Sequence, residues 1–130
     1  MSQENVDALK QALSEAPDRP DRFFALLDDD VVWDPGDGFP GGKVYGRDGV
    51  RDFFRHWLGA FEDFRSEVME CIDGGSSVYV HMHQSGRGKG SGAVAQTDFW
   101  QVWLFFEGRV VRFVQKRGEG EAREAAGLSE

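Results

Sequence analysis

A chain of 130 residues with 29% charged and 40% hydrophobic side chains is expected to form one globular domain, 1–130, able to bury a core without metal or disulfide staples. Its net charge of −8 argues against general nucleic-acid binding. No apolar run nears the roughly 18 residues of a membrane span, no charged-then-apolar leader is seen, and a lone cysteine, Cys71, agrees with a reducing, cytoplasmic setting.

Residues 3–16 predict a helix, with Val6, Leu9, Leu13 and Ala16 in one stripe and Pro17 as its stop. "DRPDRFFALLDDD" predicts a short second helix, with Pro20 in its first turn and Phe23, Phe24 and Leu27 on its apolar side. "VVWDP" reads as a short strand broken by Pro35, and "GDGFPGGKVYG" as a glycine-dense loop. In "RDGVRDFFRHWLGAF", Val50, Phe53, Phe54, Trp57, Leu58 and Phe61 recur at helical spacing and predict a long helix with a wide apolar face. "RSEVMECID" and "SVYVHMHQS" form a hairpin across "DGGS", and "GRGKGSG" is a flexible crossing. "AVAQTDFWQVWLFF" and "RVVRFVQKR" form a second hairpin, and the tail predicts a short helix ended by Gly127.

A two-residue turn in the last hairpin would force Glu107 to positive φ, so a three-residue loop, Phe106-Glu107-Gly108, is expected. It pairs Gln101 with Phe113 and Trp103 with Val111. One face then carries Phe99, Gln101, Trp103, Phe113, Gln115 and Arg117. The other carries Trp100, Val102, Leu104 and Val114. Both faces are apolar and call for cover on both sides. The helices supply one cover, and a second subunit is expected to supply the other.

This order of elements resembles the nuclear-transport-factor-2-like fold. "LLDDDVVWDPGD", "FPGGKVYGRDGVRDFFRHWL", "FEDFRSEVMECIDGG", "GRGKGSG" and "EAAGLSE" resemble a bacterial SnoaL-like protein. The likeness covers nearly the whole chain. It implies an α+β fold in which a curved antiparallel sheet wraps a long helix as a cone with an apolar pocket, and a homodimer through the convex sheet face. It also implies a place among ketosteroid isomerase-like proteins and polyketide cyclases, some of which only bind. The isomerases keep a base just after the first strand, a position that Asp34 fills in Trp33-Asp34-Pro35. Their oxyanion-hole positions fall near Lys10 and at Gln101, neither of which is a neutral acid.

Two functions are therefore expected to compete. In the first, a small apolar or polyketide-like ligand undergoes cofactor-free proton transfer, cyclisation or hydration, with Asp34 as base and Gln101 polarising the substrate. In the second, the same pocket binds without catalysis. The bland reading of Asp34 is a turn aspartate that accepts backbone N–H groups. Gln84, Gln101 and Gln115 would bond a ligand or each other. Trp33, Trp57, Phe99, Trp103 and Phe113 would shape the pocket together with Val80 and Met82, and Arg117 would either hold an anionic group of the ligand or stand as a solvated arginine at the rim. His81 and His83 share a strand face turned away from Val80 and Met82. Their default is a surface or interface pair, and no metal is expected. His56 is expected to be partly buried, and Cys71 to act as a small hydrophobe.

Overall fold

The structure, a computed structural model, describes residues 2–16, 18–36, 39 and 41–128. The helix stop at Pro17, part of the glycine loop and the last two residues of the tail lie outside the described residues.

Helix α1 spans Ser2–Glu15 and α2 spans Pro20–Leu26. Both follow their apolar stripes: Val6, Leu9, Phe23 and Phe24 are buried, with Leu13 and Ala16 packed beside them. Strand β1, Leu27–Asp34, starts four residues before the expected "VVWDP". Its acidic opening is tied down by Arg47, which donates to the Leu27 carbonyl at 2.6 Å and pairs with Asp29 at 2.9 Å. Strand β2, Val44–Tyr45, forms within the expected loop by pairing with Val32 and Trp33. Helix α3 covers Arg47–Gly59. Its apolar face is narrower than predicted, because the helix ends at Gly59. Leu58 is exposed, and Phe61 opens strand β3, Phe61–Asp73.

Strands β4 (Ser77–Gly88), β5 (Val94–Phe106) and β6 (Arg109–Lys116) complete an antiparallel meander, and α4 spans Glu119–Ala125. "GRGKGSG" is less of a crossing than predicted, since Gly86, Arg87 and Gly88 extend β4 and pair across to β3 and β5. The six strands run in the order β2-β1-β6-β5-β4-β3. The sheet is mixed rather than purely antiparallel, because β1 lies parallel to β6. Sequence alternation alone carries no sign of that non-local pairing.

The β5–β6 turn corrects the expected loop. Phe106 pairs with Arg109, so Glu107 and Gly108 form a two-residue turn with φ of 51° and 80°. The cost of a left-handed Glu107 is accepted because this turn matches the twist of the flanking strands. Register then shifts between Leu104 and Phe105, leaving Val111 as a bulge, and Gln101 faces Gln115 while Trp103 faces Phe113. The predicted facing of the side chains holds, although the pairs differ.

On the concave face α1, α2 and α3 close the main core around Trp33, Val50, Trp103 and Phe113. On the convex face α4 folds back over Tyr79 and Val102, with Ala122 and Ala126 in contact. It is held there by Ser77, whose hydroxyl donates to the Ala126 carbonyl at 2.8 Å. Val102, only 1% exposed, is thus covered by its own chain and not left for a partner. Trp100, Leu104 and Val114 remain half-buried. Among the described residues no helix is long and apolar enough to cross a membrane.

Candidate functional site

A cleft lies between the concave face and α3. It is lined by Trp33, Pro35 and Phe39 from the β1 side, by Phe53, Phe54 and Trp57 from α3, and by Gln84, Phe99, Gln101, Phe113 and Gln115 from the sheet. The indole of Trp33 stacks on the Phe113 ring with centroids 3.8 Å apart. The Phe39 ring sits 4.8 Å from Trp57 and 6.0 Å from Phe99, closing the top. About 30 Å³ is left free, room for a water or two.

The polar groups form a relay. Trp103 Nε1 donates to Gln101 Oε1 at 3.1 Å, Gln101 Nε2 donates to Gln115 Oε1 at 2.9 Å, and Gln115 Nε2 donates to the Pro35 carbonyl at 2.9 Å. The relay fixes both amide orientations. Each amide keeps one N–H and one lone pair for a further partner. Gln84 lines the same cleft, and its side-chain amide has no partner among the described residues. None of the described lining residues carries an acid or a base.

Several expected site residues lie elsewhere. Strand alternation turns Trp33 into the cleft and Asp34 to the opposite face, in register with Val114. Asp34 does not line the cleft, and its Oδ1 accepts the Gly36 N–H at 3.2 Å, the turn arrangement weighed above. Val80 and Met82 point to the concave side as expected but are sealed in the core with Val6 and Leu9. Trp103 sits behind Gln101 rather than on the cleft surface. Arg117 follows the end of β6 and is exposed, away from the lining. Lys10 and His56 are exposed as well, and His56 Nδ1 donates to the Asp52 carbonyl at 2.9 Å. Cys71 is half-buried against the core, and burial pushes its thiol pKa up.

Sequence reading missed Pro35 and Phe39 as lining, and gave the Phe and Trp stripe of α3 as core with some pocket lining without singling out Phe53 and Phe54. Phe53 and Phe54 carried a signal, since both stood on the predicted apolar face of α3. Phe39 carried none, for an aromatic ring in a glycine loop has no period to place it.

The convex face holds a third partner for the two histidines. His83 Nδ1 lies 2.6 Å from Asp98 Oδ1, and His81 Nε2 lies 3.6 Å from Asp98 Oδ2. The His81 ring stacks on Trp100. Among the described residues no three His, Cys, Asp or Glu side chains are arranged to hold a metal. The hydrogen bond to Asp98 raises the His83 pKa, and the same bond lowers that of Asp98. The pair therefore favours the fold between the two shifted values. Its contribution fades as pH falls through the folded pKa of Asp98 or rises through that of His83. An NMR titration is expected to show His83 above the ordinary histidine value of about 6.5. Asp98→Asn should return it there, and an unchanged His83 in that variant would refute the pairing.

A mixed six-stranded sheet curved around one long helix, with an apolar cleft between them, defines an α+β protein of the nuclear-transport-factor-2-like class, whose fold it shares with a ketosteroid isomerase-like structure. Within that class the chain belongs to the SnoaL-like domain family, whose pattern matches residues 6–113. A nuclear-transport-factor-2-like protein of unknown function from Burkholderia pseudomallei is similar at 28% identity, over 92% of this chain and 95% of that one, with a TM-score of 0.76. A nuclear-transport-factor-2-like protein from Burkholderia thailandensis shares the fold at 22% identity over 100% and 99% of the two chains, TM-score 0.78. TerC, co-crystallized with polyporic acid, shares it at 22% identity over 95% and 98%, TM-score 0.76. Among curated proteins none matches the chain.

Proposed function

We propose that the protein binds a small, flat, uncharged organic molecule of polyketide-like character, bearing a carbonyl or hydroxyl group, and holds it without proton transfer by a side chain of the cleft. The observation that carries this reading is the chemistry of the lining. The aromatic walls offer flat apolar contact, the amides of Gln101 and Gln115 offer neutral hydrogen bonds in fixed positions, and Gln84 adds a third amide. A buried charge would find no counter-ion among the described lining residues and would be costly to hold. Entry requires the Phe39 ring to leave its place against Trp57 and Phe99, so ligand and ring exchange one apolar contact for another.

A neutral phenolic ester, methyl 4-hydroxybenzoate, is expected to raise the melting temperature of the protein, whereas the 4-hydroxybenzoate anion is not. Asp34→Asn is expected to leave the shift produced by the ester unchanged, because Asp34 faces the other side of the sheet. Stronger stabilisation by the anion would overturn the neutral-ligand reading. Loss of the shift in Asp34→Asn would bring that carboxylate back as the base.

For the protein partner we propose a second copy seated on the convex face beside α4, against Trp100, Leu104 and Val114. These three apolar side chains are left half-buried beside the small convex cluster that α4 covers, and a second copy would complete their cover. Sedimentation is expected to show twice the chain mass at micromolar concentration and a monomer for Trp100→Glu. A wild-type monomer at millimolar concentration would sink the proposal.

A further inference from the structure

We propose that the cleft is the inner half of a two-part site, whose outer half takes an apolar alkyl or aryl tail carried by the same ligand. This rests on the reading above and extends it to the shape of the ligand. The outer half is a recess of about 80 Å³ beyond the end of α3, more than twice the free space of the inner cleft. Phe61 and Phe64 form its wall, and Gly86, Ala95 and Thr97 form its floor.

Three features join the two halves. Trp57 and Gln84 border both spaces. The Trp57 ring stands between Phe39, at 4.8 Å, and Phe61, at 5.0 Å, and Phe61 meets Phe64 at 5.8 Å. With Phe39 displaced, Trp57, Phe61 and Phe64 still form a continuous wall of rings from the inner cleft to the outer recess, along which one ligand can lie. Gly86 sets the depth of the floor. A Cβ there would come within 3.1 Å of the Phe61 ring, so the missing side chain is what lets that ring lie on the strand. The one polar group at the waist is the Gln84 amide, placed to bond a linking carbonyl between ring and tail. The remaining surface is apolar and rewards methylene groups rather than charge.

The test is calorimetric titration of the full chain with methyl, ethyl, butyl and hexyl 4-hydroxybenzoate. The Kd is expected to fall about two- to fourfold per added methylene until the recess is filled. Two variants address the recess alone. Ala95→Phe, at an exposed position opposite Gly86, should fill it, and Phe64→Ala should remove its wall. Both are expected to flatten the dependence on chain length while the methyl ester binds as before. Equal affinities along the series in the wild type would overturn the two-part site and leave the inner cleft as a binding site. An unchanged dependence in both variants would place the tail elsewhere and overturn it too. Failure of every ester to bind would overturn this proposal together with the function on which it rests.

Discussion

Trp103→Ala is expected to destabilise the protein by about 3–5 kcal/mol, the range for deleting a large buried aromatic ring. Trp103 is 2% exposed and meets three other rings edge-on: Phe23 at 6.0 Å, Trp33 at 5.4 Å and Phe113 at 4.7 Å. Each belongs to a different element, so the indole joins α2, β1 and β6 at one point. Its N–H also anchors the amide relay at Gln101. Trp103→Phe separates the two roles. It keeps most of the packing but leaves Gln101 Oε1 without its donor, at a cost of about 1–3 kcal/mol. Urea unfolding of both variants measures the difference. A loss below about 1 kcal/mol for the alanine variant would mean that the site collapses around the gap and that the indole is no keystone.

Gln101 tests the relay directly, because it is 4% exposed and bonded on both sides. Gln101→Leu strands the Trp103 N–H and Gln115 Oε1, and is expected to cost about 2–4 kcal/mol with little dependence on pH. Gln101→Glu keeps the shape and should behave differently. When protonated, the introduced carboxyl can donate to Gln115 Oε1 as the amide did. When ionised, it is a desolvated charge facing that oxygen. Its folded pKa is therefore raised above the unfolded value of about 4.3. Near-native stability should be present below that value and be lost as pH rises through the folded pKa, reaching a deficit of about 3–5 kcal/mol at neutral pH. A flat pH profile for the glutamate variant would show that water reaches the relay and that the cleft is not the dry amide site described here.

Much of this arrangement was legible in the sequence because it depends on local periods. The helical spacing of Val50, Phe53 and Phe54 gave α3, and the alternation of Gln101, Trp103, Phe113 and Gln115 put two amides and two rings on one face. What was not legible is non-local. Nothing in "VVWDP" shows that β1 runs parallel to β6, and nothing in "EAAGLSE" shows that the tail helix returns to cover Val102. One error was avoidable. Trp33 and Asp34 are adjacent in a strand, so they cannot both face the pocket, and the stacked Trp33 takes the inner side. The resemblance to the isomerases pointed to Asp34 by its position in the chain, and position in the chain does not carry the direction of a side chain.

The extra residue in the last hairpin governs more than its own strand. With Val111 bulged out, every side chain after it is one step out of phase with a plain ladder, and Phe113 and Gln115 face inward. Deleting this single valine would take out the bulge yet leave Arg112 opposite Leu104 and Phe113 opposite Trp103, so the ring and the amide would stay indoors. Counting, not chemistry, is the weak point of this strand: it should tolerate the loss of Val111, whereas one residue added between Phe113 and Gln115 would turn the amide outward.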